Sequence, residues 1–117
     1  MLYGDSGFVS IYGAGEIHNP SLMLIFMNPT ARNIASIESW TGIRRPWIGT
    51  KQVWKMFFEI GLISKSLLKK TLSIKSSEWT TDLAEELYLS IAKQGVYITN
   101  FAKCTLSNAR PLSNKIY

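Results

Sequence analysis

Leu22-Met23-Leu24-Ile25-Phe26-Met27-Asn28-Pro29 is the stretch on which the reading of the fold turns. Its six apolar residues, held between Pro20 and Pro29, are too few for an ordinary helix and match a strand buried on both faces. Val96-Tyr97-Ile98-Thr99 follows Gly95 and precedes Asn100; its β-branched and aromatic side chains predict a second buried strand. Between the two the pattern is helical. Thr50 is placed to cap a helix running to about Ile60, with Val53, Trp54, Phe57 and Ile60 on one face and Gly61 ending it. A short helix is expected over 64–72. A third runs from Thr80 or Thr81 to about Lys93, with Leu83, Ala84, Leu87, Tyr88 and Ile91 at i, i+4 and i+8 spacings and Gly95 as terminator. Phe8-Val9-Ser10-Ile11-Tyr12 alternates and reads as a short strand, broken by a turn at Gly13-Ala14-Gly15. Residues 30–49 hold Gly42, Pro46 and Gly49 and read mostly as loop. Strand, strand, helices, strand is the order of an α/β protein whose parallel strands are joined by crossover helices.

At 117 residues the chain has room for one domain. Hydrophobic residues at 46% can build a core, and charged residues at 18% argue against wholesale disorder. No apolar run approaches the ~18–20 residues needed to span a bilayer, and no signal-peptide pattern opens the chain. An intracellular, cytoplasmic protein is the expectation. The formal net charge of +5 is unevenly spread. Residues 1–31 carry no Lys or Arg, whereas residues 43–75 carry eight basic side chains against Glu59 alone. A basic middle that also holds Trp47 and Trp54 suits a phosphate backbone. The plainer alternative is a solvated helical face.

Asn28 directly follows the first buried strand, and Asn100 directly follows the second. Ligands of open α/β sheets bind outside the carboxyl ends of the strands. Two amides delivered there each offer a donor and an acceptor to a polar ligand, although Asn is also a common residue where strands turn.

Three segments carry a family resemblance. Phe26-Met27-Asn28-Pro29-Thr30 resembles the first motif of uracil-DNA glycosylases, the Asn-Pro turn of the mismatch-specific and single-strand-selective branches. Arg45-Pro46-Trp47-Ile48-Gly49 is similar to the Arg-Pro-Phe-Val-Gly motif of the iron–sulfur branch, with Trp for Phe. Residues 96–104, from Val96 to Cys104, resemble that branch's Val-Tyr-Ile-Thr-Asn-x-x-Lys-Cys segment, and Asn108-Ala109-Arg110-Pro111 follows where it has an Asn-Arg-x-Pro stretch. The motifs run in the family's order over residues 22–111. The resemblance implies a three-layer αβα domain with a central, mostly parallel sheet, of which this chain would be the N-terminal portion.

It also implies a reaction: hydrolysis of the N-glycosidic bond of uracil, or a related deaminated base, after the base is flipped out of DNA. Asn28 would hold the attacking water, by orientation rather than as a base. Met27 and Pro29 would line the substrate site, and Trp47 would stack on the extruded base. Asn100 would read the uracil edge, accepting from N3–H and donating to O4; cytosine presents the reverse pattern. Arg44, Arg45, Lys51 and Lys55 would attract DNA phosphates, with Lys103 and Arg110 on the strand-end side. The protein would act as a monomer on DNA, without a membrane.

The departures from the family are specific. Met27 stands where the iron–sulfur branch has Glu. No His follows Asn100, so the family's late His motif has no counterpart, and His18 reads as a solvated turn residue. Cys104 is the sole cysteine and matches one of four cluster ligands, so no iron–sulfur cluster, no other metal and no cofactor is expected. Two readings stay open: a DNA glycosylase, or a non-catalytic DNA- or nucleobase-binding module of the same fold. An unrelated nucleotide-binding α/β domain is more distant, since Gly13-Ala14-Gly15 is too short for a phosphate loop.

Overall fold

A computed structural model describes residues 9–29 and 32–101. The chain is mixed α/β, with three helices and a small three-stranded sheet. Its elements are β1 (Ala14–Gly15), β2 (Leu22–Phe26), α1 (Lys51–Glu59), α2 (Lys65–Ser73), α3 (Thr81–Lys93) and β3 (Val96–Asn100), with 3-10 turns at Ile34–Ser36 and Ser76–Glu78. The sheet order is β1-β3-β2. β2 runs parallel to β3, in a register from Leu22 opposite Val96 to Phe26 opposite Asn100. All three helices lie in the connection between them, as parallel pairing requires a long crossover. β1 is antiparallel to β3, so the sheet is mixed.

α3 forms as its apolar spacing predicts: Leu83, Ala84, Leu87, Tyr88 and Ile91 are its buried residues. Thr80 supplies the N-cap, its hydroxyl accepting from the Leu83 amide at 3.2 Å, and Gly95 leaves the helix at φ +75°. Thr80→Ala removes that acceptor and is expected to cost about 1 kcal/mol, read as a lower urea midpoint at unchanged slope. α2 begins one residue later than expected, after Ser64, whose hydroxyl accepts from the Leu67 amide. In α1, Trp54 and Phe57 are buried, but Ile60 lies beyond the helix and is 56% exposed. Thr50 occupies the N-cap position without making a side-chain capping bond.

Two expectations about the strands are corrected. Val9–Gly13 holds no strand, and the pairing falls instead on Ala14–Gly15, within the stretch read as a turn. The glycines allow close approach rather than reversal. A Cβ on Gly13 would overlap the Tyr97 phenol, and one on Gly15 would overlap the Val96 carbonyl oxygen. β2 begins at Leu22 as expected but ends at Phe26, one residue before Met27, and it lacks the expected burial: Leu22, Met23 and Ile25 are exposed. It borders only β3 among the described residues, and only Leu24 and Phe26 reach the core. β3, between two neighbours, is buried along most of its length.

The loop from 32 to 50 is held by side chains where regular structure is lacking. Asn33 accepts from the Ala35 amide at 2.9 Å and donates to the Arg45 carbonyl at 2.8 Å. The Arg44 guanidinium donates to the carbonyls of Ala35, Ile37, Glu38 and Trp40. These bonds satisfy backbone acceptors that a helix or sheet would otherwise pair.

Candidate functional site

Parallel pairing brings the carboxyl ends of β2 and β3 together, and the Phe101 amide donates to the Phe26 carbonyl at 2.7 Å just beyond them. Asn100 is 2% exposed at the end of β3. Beside it lies a cavity lined by Pro29, Asn33, Pro46, Trp47, Thr50 and Asn100. About 10 Å³ is open to a water molecule's centre, room for roughly one water.

Trp47 is the wall with the most unusual backbone, the one non-glycine residue with positive φ (+64°) among those described. Such a conformation costs on the order of 1–3 kcal/mol and persists where the surroundings enforce it. Its ring meets Phe26 edge-on, with centroids 4.9 Å apart and planes at 76°. Trp47 Nε1 and Thr50 Oγ1 are both buried with no hydrogen-bond partner among the described residues. Trp47 and Thr50 therefore each bring unused hydrogen-bonding capacity to the residues that line the cavity, as Trp79 Nε1 does elsewhere in the core.

A second concavity adjoins the first through Thr50. It is an open groove of about 450 Å³, lined by Arg32, Ile34, Gly49, Thr50, Lys51, Gln52, Ser76 and Ser77.

Of the residues read from sequence, Pro29, Trp47 and Asn100 converge on the cavity. Asn28 does not line the cavity; its Nδ2 donates to the carbonyl of Pro29, which does, at 3.0 Å. Met27 is 51% exposed and does not line the cavity. Arg44 is committed to the four carbonyls of its own loop. Arg45 pairs with Glu85, and its guanidinium lies over the Tyr88 ring at 5.5 Å. Lys51 borders the groove while its Nζ donates to the Leu72 carbonyl at 3.0 Å, and Lys55 is exposed on α1. Asn33, Pro46 and Thr50 of the cavity, and Arg32 of the groove, were not singled out in sequence as site residues. Thr50 was legible only as a cap, and Asn33 carries no periodic signal; contacts distant in sequence bring both to the wall.

His18 is exposed, its amide donating to Glu16 Oε1 at 2.8 Å. Cys104, Lys103, Arg110 and the stretch from Asn108 to Pro111 lie outside the described residues, as does Thr30 of the first motif. Among the described residues no group of three His, Cys, Asp or Glu side chains could hold a metal. No helix there is long and apolar enough to cross a membrane.

Comparisons with family models, curated proteins and solved structures find no match for this chain. The functional reading therefore rests on the motif residues and the geometry they form.

Tyr88, behind the cavity, is buried, and its hydroxyl donates to the Pro46 carbonyl. Burial pushes its phenol well above the ordinary value of 10.0, and the Arg45 guanidinium acts in the opposite direction. Above about pH 10 the unfolded chain releases a proton that the folded chain keeps, so Tyr88 makes stability fall as pH rises. Urea unfolding between pH 8 and 11 is expected to show this fall, and Tyr88→Phe to make it shallower.

Proposed function

We propose that this chain carries the base-recognition half of a uracil-DNA glycosylase-like site, taking an extruded uracil or related deaminated base from DNA. One observation carries the reading: residues from three separated motifs, Pro29, Trp47 and Asn100, line one cavity. Asn100 supplies the amide that reads N3–H and O4, and Trp47 the aromatic surface. Asn28 holds the water at the sugar. Stacking on an aromatic side chain contributes roughly 1–3 kcal/mol per base. The finer architecture in this reading is the family's three-layer αβα domain with a central, mostly parallel sheet.

The cavity has room for about one water, so a base fits only when a wall moves. Arg32 and Lys51 in the groove next to Thr50 support a path for the DNA backbone. This electrostatic attraction is independent of sequence and weakens with salt. The resemblance gave phosphate contacts to Arg44 and Arg45, but both guanidiniums are tied within the loop and to Glu85, whereas Arg32 and Lys51 line the groove itself.

A second reading, a binding module that does not cleave, draws support from Asn28, whose amide is turned to the Pro29 carbonyl. One experiment separates the two. Single-stranded oligonucleotides carrying one deoxyuridine, or deoxycytidine in its place, are assayed for binding and base release. Uracil-selective binding with release supports the glycosylase, and uracil-selective binding without release supports the module. Equal binding of both oligonucleotides rejects the proposed pocket.

A further inference from the structure

Three successive carbonyls, those of Arg45, Pro46 and Trp47, each accept a hydrogen bond from a side chain on a different part of the fold. Asn33 Nδ2, at the cap of the first 3-10 turn, donates to Arg45 at 2.8 Å. The Tyr88 hydroxyl, from α3, donates to Pro46. Trp54 Nε1, from α1, donates to Trp47 at 2.9 Å. The donors are themselves held. Asn33 is fixed by the Ala35 amide, and the Trp54 ring packs edge-on to Tyr88 at 5.5 Å. Tyr88 also lies under the Arg45 guanidinium that pairs with Glu85.

The segment so held ends on the left-handed Trp47. A loop free to relax would leave that conformation, because an L side chain is disfavoured there. The same residue carries the buried, unpartnered indole N–H of the cavity wall. The three bonds therefore fix a strained backbone whose side chain still has hydrogen-bonding capacity to offer.

We propose that Tyr88, with Asn33 and Trp54, is a positioning residue for base recognition: its hydroxyl, through the Pro46 carbonyl, presets the Trp47 wall before the base arrives. This rests on the base-recognition reading above. A preset wall lowers the ordering cost of binding, which is how preorganisation raises affinity.

Tyr88→Phe tests this, since it removes one donor and keeps the ring beneath Arg45. The first readout needs no ligand: the indole N–H resonances of the four tryptophans in the full-length protein, with Trp47 assigned by its loss in Trp47→Phe. The Trp47 resonance is expected to shift or broaden while those of Trp40 and Trp79 stay. An unmoved Trp47 resonance overturns the proposal whatever the chain binds. The second readout is binding of a single-stranded oligonucleotide with one deoxyuridine. Tyr88→Phe is expected to weaken it about five- to tenfold in the wild-type background, and to add no loss in a Trp47→Ala background. The same loss in both backgrounds assigns Tyr88 a general structural role and overturns the proposal. Should Tyr88→Phe not fold, Asn33→Asp removes the donor to Arg45 but keeps the acceptor for Ala35, and the same resonance shift is expected. Absence of oligonucleotide binding by the wild-type protein rejects the base-recognition reading and with it the positioning role. The resonance then shows separately whether the carbonyl bonds hold Trp47.

Discussion

Asn100→Ala is expected to weaken binding of uracil-containing single-stranded DNA by about 10–100-fold, some 1.4–2.7 kcal/mol, and to remove the preference for uracil over cytosine. The side chain is 2% exposed at the end of β3, on the wall it shares with Trp47 and Pro29. A bound uracil would lose both the acceptor for N3–H and the donor for O4. Its own polar groups would then be buried unpaired, which costs more than the net gain of an ordinary hydrogen bond. Asn100→Asp carries more information. Burial favours the protonated carboxyl, whose O–H donates to cytosine N3 while its carbonyl oxygen accepts from the cytosine amino group, the reverse of the amide's pattern for uracil. Discrimination is expected to shift toward cytosine. Fluorescence anisotropy with deoxyuridine and deoxycytidine oligonucleotides measures both variants, and an unchanged uracil preference in Asn100→Ala rejects Asn100 as the reading residue.

Trp54→Ala is expected to be the most damaging single change to stability. Trp54 is fully buried on α1, edge-on to Phe57 at 5.2 Å and to Tyr88 at 5.5 Å. Truncating a buried Trp typically costs about 3–5 kcal/mol. The lost bond to the Trp47 carbonyl adds about 1 kcal/mol. A domain typically has only ~5–15 kcal/mol in all, so the variant should lose about a third or more of its stability. Urea unfolding followed by circular dichroism reads the loss. Trp54→Phe retains most of the packing and is expected to fall between wild type and Trp54→Ala. Equal stability of Trp54→Ala and wild type would contradict the central place of this residue in the core.

Much of the fold was legible because it follows local periodicity. The i, i+4, i+8 pattern of α3 marks its buried face whatever it packs against, and its Thr and Gly punctuation depends on backbone geometry alone. β2 and β3 were legible as strands for a similar reason: apolar runs of that length, bounded by Pro or Gly, have few other uses. Burial of β2 was not legible. An apolar run states what a strand would favour, whereas its neighbours decide what it receives, and β3 is the neighbour β2 has among the described residues. Gly13 and Gly15 show the same limit. A glycine reports that a side chain is not tolerated, and only the facing Tyr97 and Val96 reveal close packing in place of a turn.

For the candidate site, the sequence by itself determined the chemistry on offer: two strand-end amides, an Arg-Pro-Trp segment and a basic middle. These are properties of residue type and order. The tertiary structure decided which of them meet. It brought Pro29, Trp47 and Asn100 to one cavity and added Asn33 and Thr50 to its walls. It turned Arg44 and Arg45 inward as structural ties, leaving the groove beside Thr50 to Arg32 and Lys51. The physical reason is that a guanidinium beside unpaired loop carbonyls or a facing carboxylate gains charge-assisted bonds there. Those acceptors come from other parts of the chain, so no reading of local pattern reveals them.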